Sequence, residues 1–202
     1  METMVKNRYV IIEGIDHIGK TTFINKLTEK LKHRYTYYRD RIQLNTIKDV
    51  MPGVGVEFLD IKHAGILCGV LNMGDWVSEN IIFDRLHLSG AAYAAALRSN
   101  EQPKKILPFF ENELNHIANP VLVTFMLDGT PRNDDEAVDS TELEKVNEQF
   151  DKLHDNSILP KIKVHLKMNQ DGMTNILQFV DQIAFLIENP CNGTTLMDVT
   201  FK

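Results

Sequence analysis

Residues 14–21 read Gly-Ile-Asp-His-Ile-Gly-Lys-Thr, which fits the pattern G-x-x-x-x-G-K-[S/T] at every required position. The motif follows an apolar run over residues 9–13 and precedes a helical pattern over about residues 20–33, which is the context in which this pattern binds phosphate. A loop of this kind directs backbone N–H groups and the positive end of the following helix at a phosphate chain. The motif therefore predicts a nucleoside triphosphate site.

Two side chains of the motif carry the expected phosphate chemistry. Lys20 supplies a positive charge to the β- and γ-phosphates, and Thr21 supplies a hydroxyl to Mg²⁺. The motif alone leaves open whether water, a protein switch or a small molecule receives the phosphate. The predicted ATP-binding residues are those of the loop and the first helical turn: Gly14, Ile15, Asp16, His17, Ile18, Gly19, Lys20, Thr21 and Thr22.

Short β-branched runs alternate with longer helical patterns along the chain. Strands separated by helices of this length imply a parallel sheet. We therefore predict a single domain over residues 1–202 with an α/β fold and a five-stranded parallel sheet. With the motif at residues 14–21, the expected fold is the three-layer α/β/α type of P-loop NTPases. The predicted strands are residues 9–13, 35–38, 81–83, 121–127 and 161–166, the last as an outer strand, and the helical patterns cover residues 20–33, 59–71, 89–98, 104–116, 142–153 and 176–186.

Composition excludes several classes of function. The 202 residues are 43% hydrophobic, and 22 basic against 28 acidic residues give a net charge of −6, which disfavours binding to nucleic acid or to an anionic membrane surface. Uncharged stretches such as residues 64–74 are shorter than the roughly 20 residues that span a bilayer. The two cysteines, Cys68 and Cys191, cannot form a disulfide framework. We expect buried free thiols in a cytoplasmic protein.

Three segments, in order, resemble the thymidylate kinase family of P-loop nucleoside monophosphate kinases. Residues 13–22 look like that family's E-G-x-D-x-x-G-K-[S/T]-T loop, and residues 83–93 resemble its D-R-Y-x-x-S-x-x-A-[Y/F] segment. An acidic loop after residues 127–128, at about residues 129–141, and the helix at 142–153 are placed like the family's lid and the helix after it. The resemblance covers about residues 9–187. It implies an ATP- and Mg²⁺-dependent enzyme that converts dTMP to dTDP, a step of dTTP synthesis.

The resemblance also implies roles for residues around the acceptor. Arg85 follows a predicted strand end, where a guanidinium can grip a monophosphate through two hydrogen bonds. Asp84 is placed to hold Mg²⁺ together with Thr21, and Asp16 would engage the sugar hydroxyl or the acceptor-binding arginine. The remaining residues expected at the acceptor are Arg41 at the phosphate, with Arg39 as the other arginine of this region, Tyr93 under the deoxyribose, and Ser89.

Base recognition and the lid depart from the family pattern. A phenylalanine and an arginine four residues later read the base in the family, whereas here the two possible registers give Phe58 with Lys62, or Leu59 with His63. Neither supplies an arginine, so the base preference is left open. Charge on the transferred group would be neutralised by His17 in the loop or by Arg132, the one basic residue of the lid. The predicted catalytic set is Lys20, Asp16, Arg85, His17 and Arg132.

Two other functions fit the same residues. A kinase acting on deoxynucleosides would need a carboxylate base for the 5′-hydroxyl, for which Glu13 is a candidate, and a nucleotide-binding module would have weak or no transferase activity. The resemblance further implies a homodimer through the helices beside the third strand. The apolar run at residues 66–71 suits such an interface and equally suits burial within one chain.

Overall fold

The computed structural model describes residues 7–32, 34–39, 57–73, 79–130, 139–169, 174–189 and 199–201. Within these ranges, six strands form one sheet: β1 (Arg8–Gly14), β2 (Tyr35–Arg39), β3 (Asn80–Asp84), β4 (Asn119–Asp128), β5 (Lys161–Lys167) and β6 (Val199–Phe201). The α-helices in these ranges are α1 (Lys20–Lys30), α2 (Glu57–Met73), α3 (His87–Arg98), α4 (Leu107–Ile117), α5 (Ser140–Asn156) and α6 (Val180–Glu188).

The strand order is β2-β3-β1-β4-β5-β6, and every neighbouring pair is parallel. Helix α1 packs against α6, while α3 packs against α5 and α2, giving the predicted three-layer α/β/α fold. The prediction that β5 is an outer strand is wrong. Val199 pairs with Ile162 and Phe201 with Val164, so the end of the chain adds a sixth strand at that edge.

The centre of the sheet explains the long apolar runs of the sequence. Six of the seven residues of β1 and eight of the ten of β4 are buried, because helices cover both faces of a parallel sheet. The strand order reverses at β1, and an open α/β sheet binds ligands in the crevice at the carboxyl ends of its strands near such a reversal. Residues 14–21 follow β1 at that edge.

Two of the predicted helices begin as a 3-10 helix, so their α-helical starts lie later than the sequence pattern indicated. Residues 102–106, at the start of the predicted helix at 104–116, form a 3-10 helix (Gln102–Ile106). The α-helix begins at Leu107 with Pro108 in its first turn, where the missing N–H costs nothing. Likewise, the 3-10 helix Ile176–Phe179 precedes α6. Helix α5 begins in a capping box, with reciprocal hydrogen bonds between Asp139 and Glu142.

Helix α2 turns its aliphatic residues inward. Leu67 and Val70 are buried in the core, whereas Cys68 is an exposed free cysteine, so the prediction of a buried thiol is wrong for this residue. The helical periodicity places Cys68 on the opposite side from the buried pair. Cys191 lies outside the described residues. No helix in the described part of the chain is long and apolar enough to cross a membrane.

A buried polar cluster joins three elements away from the sheet edge. The Glu111 carboxylate of α4 lies 2.8 Å from His87 Nε2 at the start of α3, and it accepts hydrogen bonds of 2.8 Å from the Ser157 hydroxyl and from the backbone N–H of Ile158. His87 and Glu111 are buried. Because buried polar groups are costly without partners, this carboxylate fixes the turn after α5 against two helices.

Replacing Glu111 by alanine should destabilise the fold, since it leaves several buried polar groups without their acceptor. We expect a loss of about 3 kcal/mol in the free energy of unfolding, measured by denaturant titration. Glu148→Ala, at an exposed position of α5, is the control and should change stability by no more than about 0.5 kcal/mol. Equal stability of the two variants would show that the cluster does not hold the fold together.

Candidate active site

The loop after β1 has a backbone that few residues can adopt. Gly14 has φ +140°, and a Cβ there would lie 2.7 Å from the carbonyl oxygen of Phe125 on β4. His17, at φ 62°, is in the left-handed region, which costs energy for a residue with a side chain. Such a conformation is typical of functional loops whose surroundings enforce it.

The N-terminus of α1 is open to an anion. Its N-cap is Gly19, which offers no side-chain hydrogen bond, and no acidic residue lies in the first turn. The first N–H groups of a helix have no partner within the helix, so these remain available to phosphate oxygens. Ile15 and Ile18 have buried side chains. Only their backbone can take part in the binding predicted for them.

The segment after β5 holds the loop in place. The Thr174 hydroxyl donates a hydrogen bond of 2.9 Å to the Ile18 carbonyl, although the two residues are 156 positions apart. Ile176 packs so close to Gly19 that a Cβ there would lie 3.2 Å from its Cγ2. The segment after β5 therefore supports the loop, a role that the motif did not reveal.

The Lys20 side chain lies within the loop in which it is expected to bind phosphate. Its side chain is buried, and its Nζ donates to the carbonyl oxygen of Ile15. Burial, and after it the charge of Arg85, lower the pKa of Lys20 to about 7, although nearby carboxylates act in the opposite direction. Of the neighbouring loop residues, His17 and Thr22 are exposed, so both are accessible to a ligand.

Thr21 and Asp84, the residues predicted to bind Mg²⁺, lie together. The Thr21 hydroxyl is 3.5 Å from Oδ2 of Asp84, whose side chain is only 3% exposed. Among the described residues, no group of three or more His, Cys, Asp or Glu could hold a metal. A hydroxyl and a carboxylate nevertheless fit Mg²⁺, which takes one or two protein oxygens and completes its coordination with substrate phosphates and water.

Strand β2 adds two donors to Asp84. The Tyr37 hydroxyl donates a hydrogen bond of 2.9 Å to Oδ2 of Asp84, and Arg39 Nε lies 3.3 Å from the same oxygen. Burial, followed by the interaction with Asp84, raises the pKa of Tyr37 to about 12. No sequence motif marks Tyr37. Its signal was the spacing of two between Tyr37 and Arg39, which places both on one face of a strand.

Arg85, Asp16 and Tyr93 form a second cluster across the loop. The Arg85 guanidinium pairs with Oδ1 of Asp16, the Tyr93 hydroxyl donates to Oδ2 at 2.5 Å, and Arg85 Cζ lies 5.4 Å from the centre of the Tyr93 ring. Burial opposes ionisation of Asp16, but the charges of Arg85 and Lys20 and the Tyr93 hydrogen bond outweigh it and lower its pKa. Burial also raises the pKa of Tyr93 to about 12, and Asp16 acts in the same direction. The cluster is thus a carboxylate, a guanidinium and a neutral phenol.

The Glu13 carboxylate, at the end of β1, connects the loop to the start of α3. Oε1 accepts hydrogen bonds from the backbone N–H groups of Leu86 at 2.9 Å and Leu88 at 3.0 Å, and Oε2 accepts from the Ser89 hydroxyl. Glu13 is fully buried. These three donors bind Glu13 to the start of α3 and give Ser89 a structural partner, so the structure provides no support for Glu13 as a base.

Several predicted residues cannot be placed by their side chains. Arg41 and Arg132 lie outside the described residues, as do residues 131–138 of the predicted lid. The base-recognition candidates Phe58, Leu59, Lys62 and His63 lie on α2, but their side chains are outside the described part. The structure therefore brings Thr21 together with Asp84, and Asp16 together with Arg85 and Tyr93. Lys20 lies close enough to both groups for the charges of Arg85, Asp16 and Asp84 to act on its pKa.

The lowered pKa of Lys20 predicts that ATP affinity falls as pH rises. A bound phosphate chain favours the charged amine, so above pH 7 binding must add a proton to Lys20. Between about pH 7.5 and about pH 9, where the triphosphate is already ionised, we expect roughly tenfold weaker binding with proton uptake, measured calorimetrically in two buffers of different ionisation enthalpy. Lys20→Arg stays charged throughout this range and should lose the dependence. Affinity of the native protein that is independent of pH would contradict the prediction.

No protein-family model and no curated protein sequence matches this chain, whereas solved structures match its fold. Thymidylate kinase from Candida albicans superposes with a TM-score of 0.64 at 19% identity, covering 96% of each chain. Deoxyadenosine kinase from M. mycoides with bound dATP has a TM-score of 0.58 at 17% identity, covering 92% of this chain and 100% of that one. YorR protein from Bacillus subtilis, in complex with phosphorylated GDP, has a TM-score of 0.57 at 18% identity, covering 92% and 99%. The chain therefore has the fold of P-loop nucleotide and nucleoside kinases.

Proposed function

We propose that this protein transfers the terminal phosphoryl group of ATP to a deoxynucleoside monophosphate, with dTMP as the acceptor. The observation that carries the proposal is the placement of two basic side chains, Lys20 and Arg85, around one loop. Lys20 lies within the loop, and Arg85 is held beside it by Asp16. A monophosphate kinase must bring two polyanions into contact, which requires positive charge on both sides of the transferred group.

The donor side is formed by the loop and its two oxygen ligands. Backbone N–H groups at the start of α1 and the Lys20 amine would bind the triphosphate, and Thr21 and Asp84 would hold Mg²⁺. When bound there, magnesium supplies neutralisation of the phosphate charge. The fully buried side chains of Ile15 and Ile18 anchor the loop in the core, so these donors are fixed before the nucleotide arrives.

The acceptor side is formed by Arg85 and Tyr93. Arg85 would hold the acceptor phosphate through two N–H groups, and the Tyr93 ring would pack beside the deoxyribose. An oxygen of the acceptor phosphate attacks the γ-phosphorus in line, the bond from that phosphorus to the β–γ bridging oxygen breaks, and ADP leaves. The transfer is direct and uses the described groups only for position and charge.

One observation favours a deoxynucleoside kinase as a second candidate. Arg85 is already paired with Asp16, and a guanidinium whose charge is balanced attracts an acceptor phosphate less strongly. In such an enzyme Asp16, which is half-exposed beside the loop, would be a nearer carboxylate for the 5′-hydroxyl than the buried Glu13. The third candidate, a nucleotide-binding module without transfer, rests on the single basic residue of the lid sequence.

Two further parts of the proposal rest on the sequence. The cytosolic location follows from the composition, and the homodimer follows from the family resemblance through the helices beside β3. In the structure, Leu67 and Val70 of α2 are used within the chain. The dimer would therefore have to use the other side of that helix.

ADP release with Mg²⁺ and ATP against a panel of acceptors tests the proposal. The panel contains dTMP, dUMP, dCMP, dGMP, dAMP, thymidine, deoxyadenosine and water alone. We expect acceptor-dependent release led by dTMP. Release led by a nucleoside would establish the second candidate, and release led by another monophosphate would keep the kinase and change its base preference.

The Lys20→Met variant separates an enzyme from a binding module. In a kinase the loss of this charge should lower turnover by at least about 100-fold at saturating ATP, since the amine stabilises charge that develops during transfer. A native protein that binds ATP but releases no ADP with any acceptor would contradict the proposed function.

A further inference from the structure

The Asp84 carboxylate has more side-chain partners than a metal ligand requires. Three side chains, one from α1 and two from β2, converge on a single oxygen, Oδ2: the hydroxyl of Thr21 at 3.5 Å, the hydroxyl of Tyr37 at 2.9 Å and Nε of Arg39 at 3.3 Å. One oxygen of the carboxylate is therefore held in place by the protein itself.

Two of these three donors lie on strand β2, whose register with β3 places them at Asp84. Arg39 pairs in register with Asp84 on the neighbouring strand β3, and Tyr37 is two residues earlier, on the same face. Tyr38, between them, packs its ring edge-on against Phe83 at 5.6 Å. Both donors are thus fixed to Asp84 by the sheet itself, and the short Tyr37 contact is the best-formed of the three.

The two donors act differently on charge. A tyrosine hydroxyl is neutral, so it satisfies an oxygen of the buried carboxylate and leaves the negative charge in place. A guanidinium compensates that charge and repels a second cation at the same group. The side chain of Arg39 is also 35% exposed, which gives it room to move away from Asp84.

We propose that Tyr37 is a positioning residue that orients the Asp84 carboxylate toward the metal bound with the nucleotide, and that Arg39 competes with this metal for the same carboxylate. The inference rests on the proposed function in that Asp84 serves a divalent cation held with ATP. It assigns opposite effects to two neighbours on one strand: Tyr37 raises metal affinity, and Arg39 lowers it.

The test measures binding of Mn²⁺, as the paramagnetic substitute for Mg²⁺, to the full chain saturated with ATP and without acceptor. Tyr37→Phe should weaken Mn²⁺ binding by roughly tenfold, as expected when the partner of a metal-binding carboxylate is removed. ATP affinity in EDTA should stay within about twofold of the native value, since the hydroxyl does not contact the phosphate loop. Arg39→Gln should bind Mn²⁺ as tightly as the native protein or more tightly.

Tyr35→Phe is the matched control, because Tyr35 lies on the same strand and pairs in register with Asn80, at the far end from Asp84. It should leave Mn²⁺ affinity unchanged. Native affinity in Tyr37→Phe, equal weakening of ATP binding in EDTA, or weaker Mn²⁺ binding in Arg39→Gln would each overturn the inference. A native protein that binds Mn²⁺ with ATP and transfers no phosphate would overturn the proposed function alone, since these comparisons read only metal binding.

Discussion

The buried carboxylate of Glu13 is the interaction on which the arrangement of the site depends. It lies at the end of the central strand, beside the loop at residues 14–21, and its oxygens accept hydrogen bonds from Leu86, Leu88 and Ser89 at the start of α3. The same strand end accepts a hydrogen bond of 2.9 Å from the Arg85 N–H to the Ile12 carbonyl. Because charge-assisted bonds to a buried carboxylate are strong, the loop and Arg85 are fixed relative to each other. Two separate stretches of sequence thus form one site.

Most of the fold could be predicted because the loop motif and the buried strands each leave a pattern within a short stretch of sequence. The spacing of Gly14, Gly19 and Lys20 located the loop between a strand and a helix, and the long apolar runs located β1 and β4, whose burial on both faces requires such runs. The same holds for Thr21 and Asp84: both follow strands whose carboxyl ends share one edge of the sheet. Their proximity was predictable once the strand order was known.

Contacts between distant segments could not be predicted in this way. Nothing near Thr174 indicates that it supports Ile18, and nothing near Val199 indicates a strand that covers β5, because both depend on how the sheet is assembled. The hydrogen bond from Tyr37 to Asp84 depends on the register between β2 and β3, because a slip of one residue would turn the Tyr37 side chain to the other face of the sheet. The pairing of Arg85 with Asp16, which accompanies a left-handed Arg85 backbone at φ 70°, also joins residues that lie far apart in the sequence.

The proposed function requires one chain to hold two nucleotides with their phosphates end to end. The most direct test is the affinity for adenosine joined to thymidine through five phosphates, compared with ATP and with the four-phosphate analogue. ATP contributes three phosphates, the acceptor one, and one more spans the point of transfer. We predict that the five-phosphate compound binds at least about 100-fold more tightly than ATP and more tightly than the four-phosphate compound. An affinity no better than that of ATP for both analogues would contradict a second nucleotide site beside Arg85.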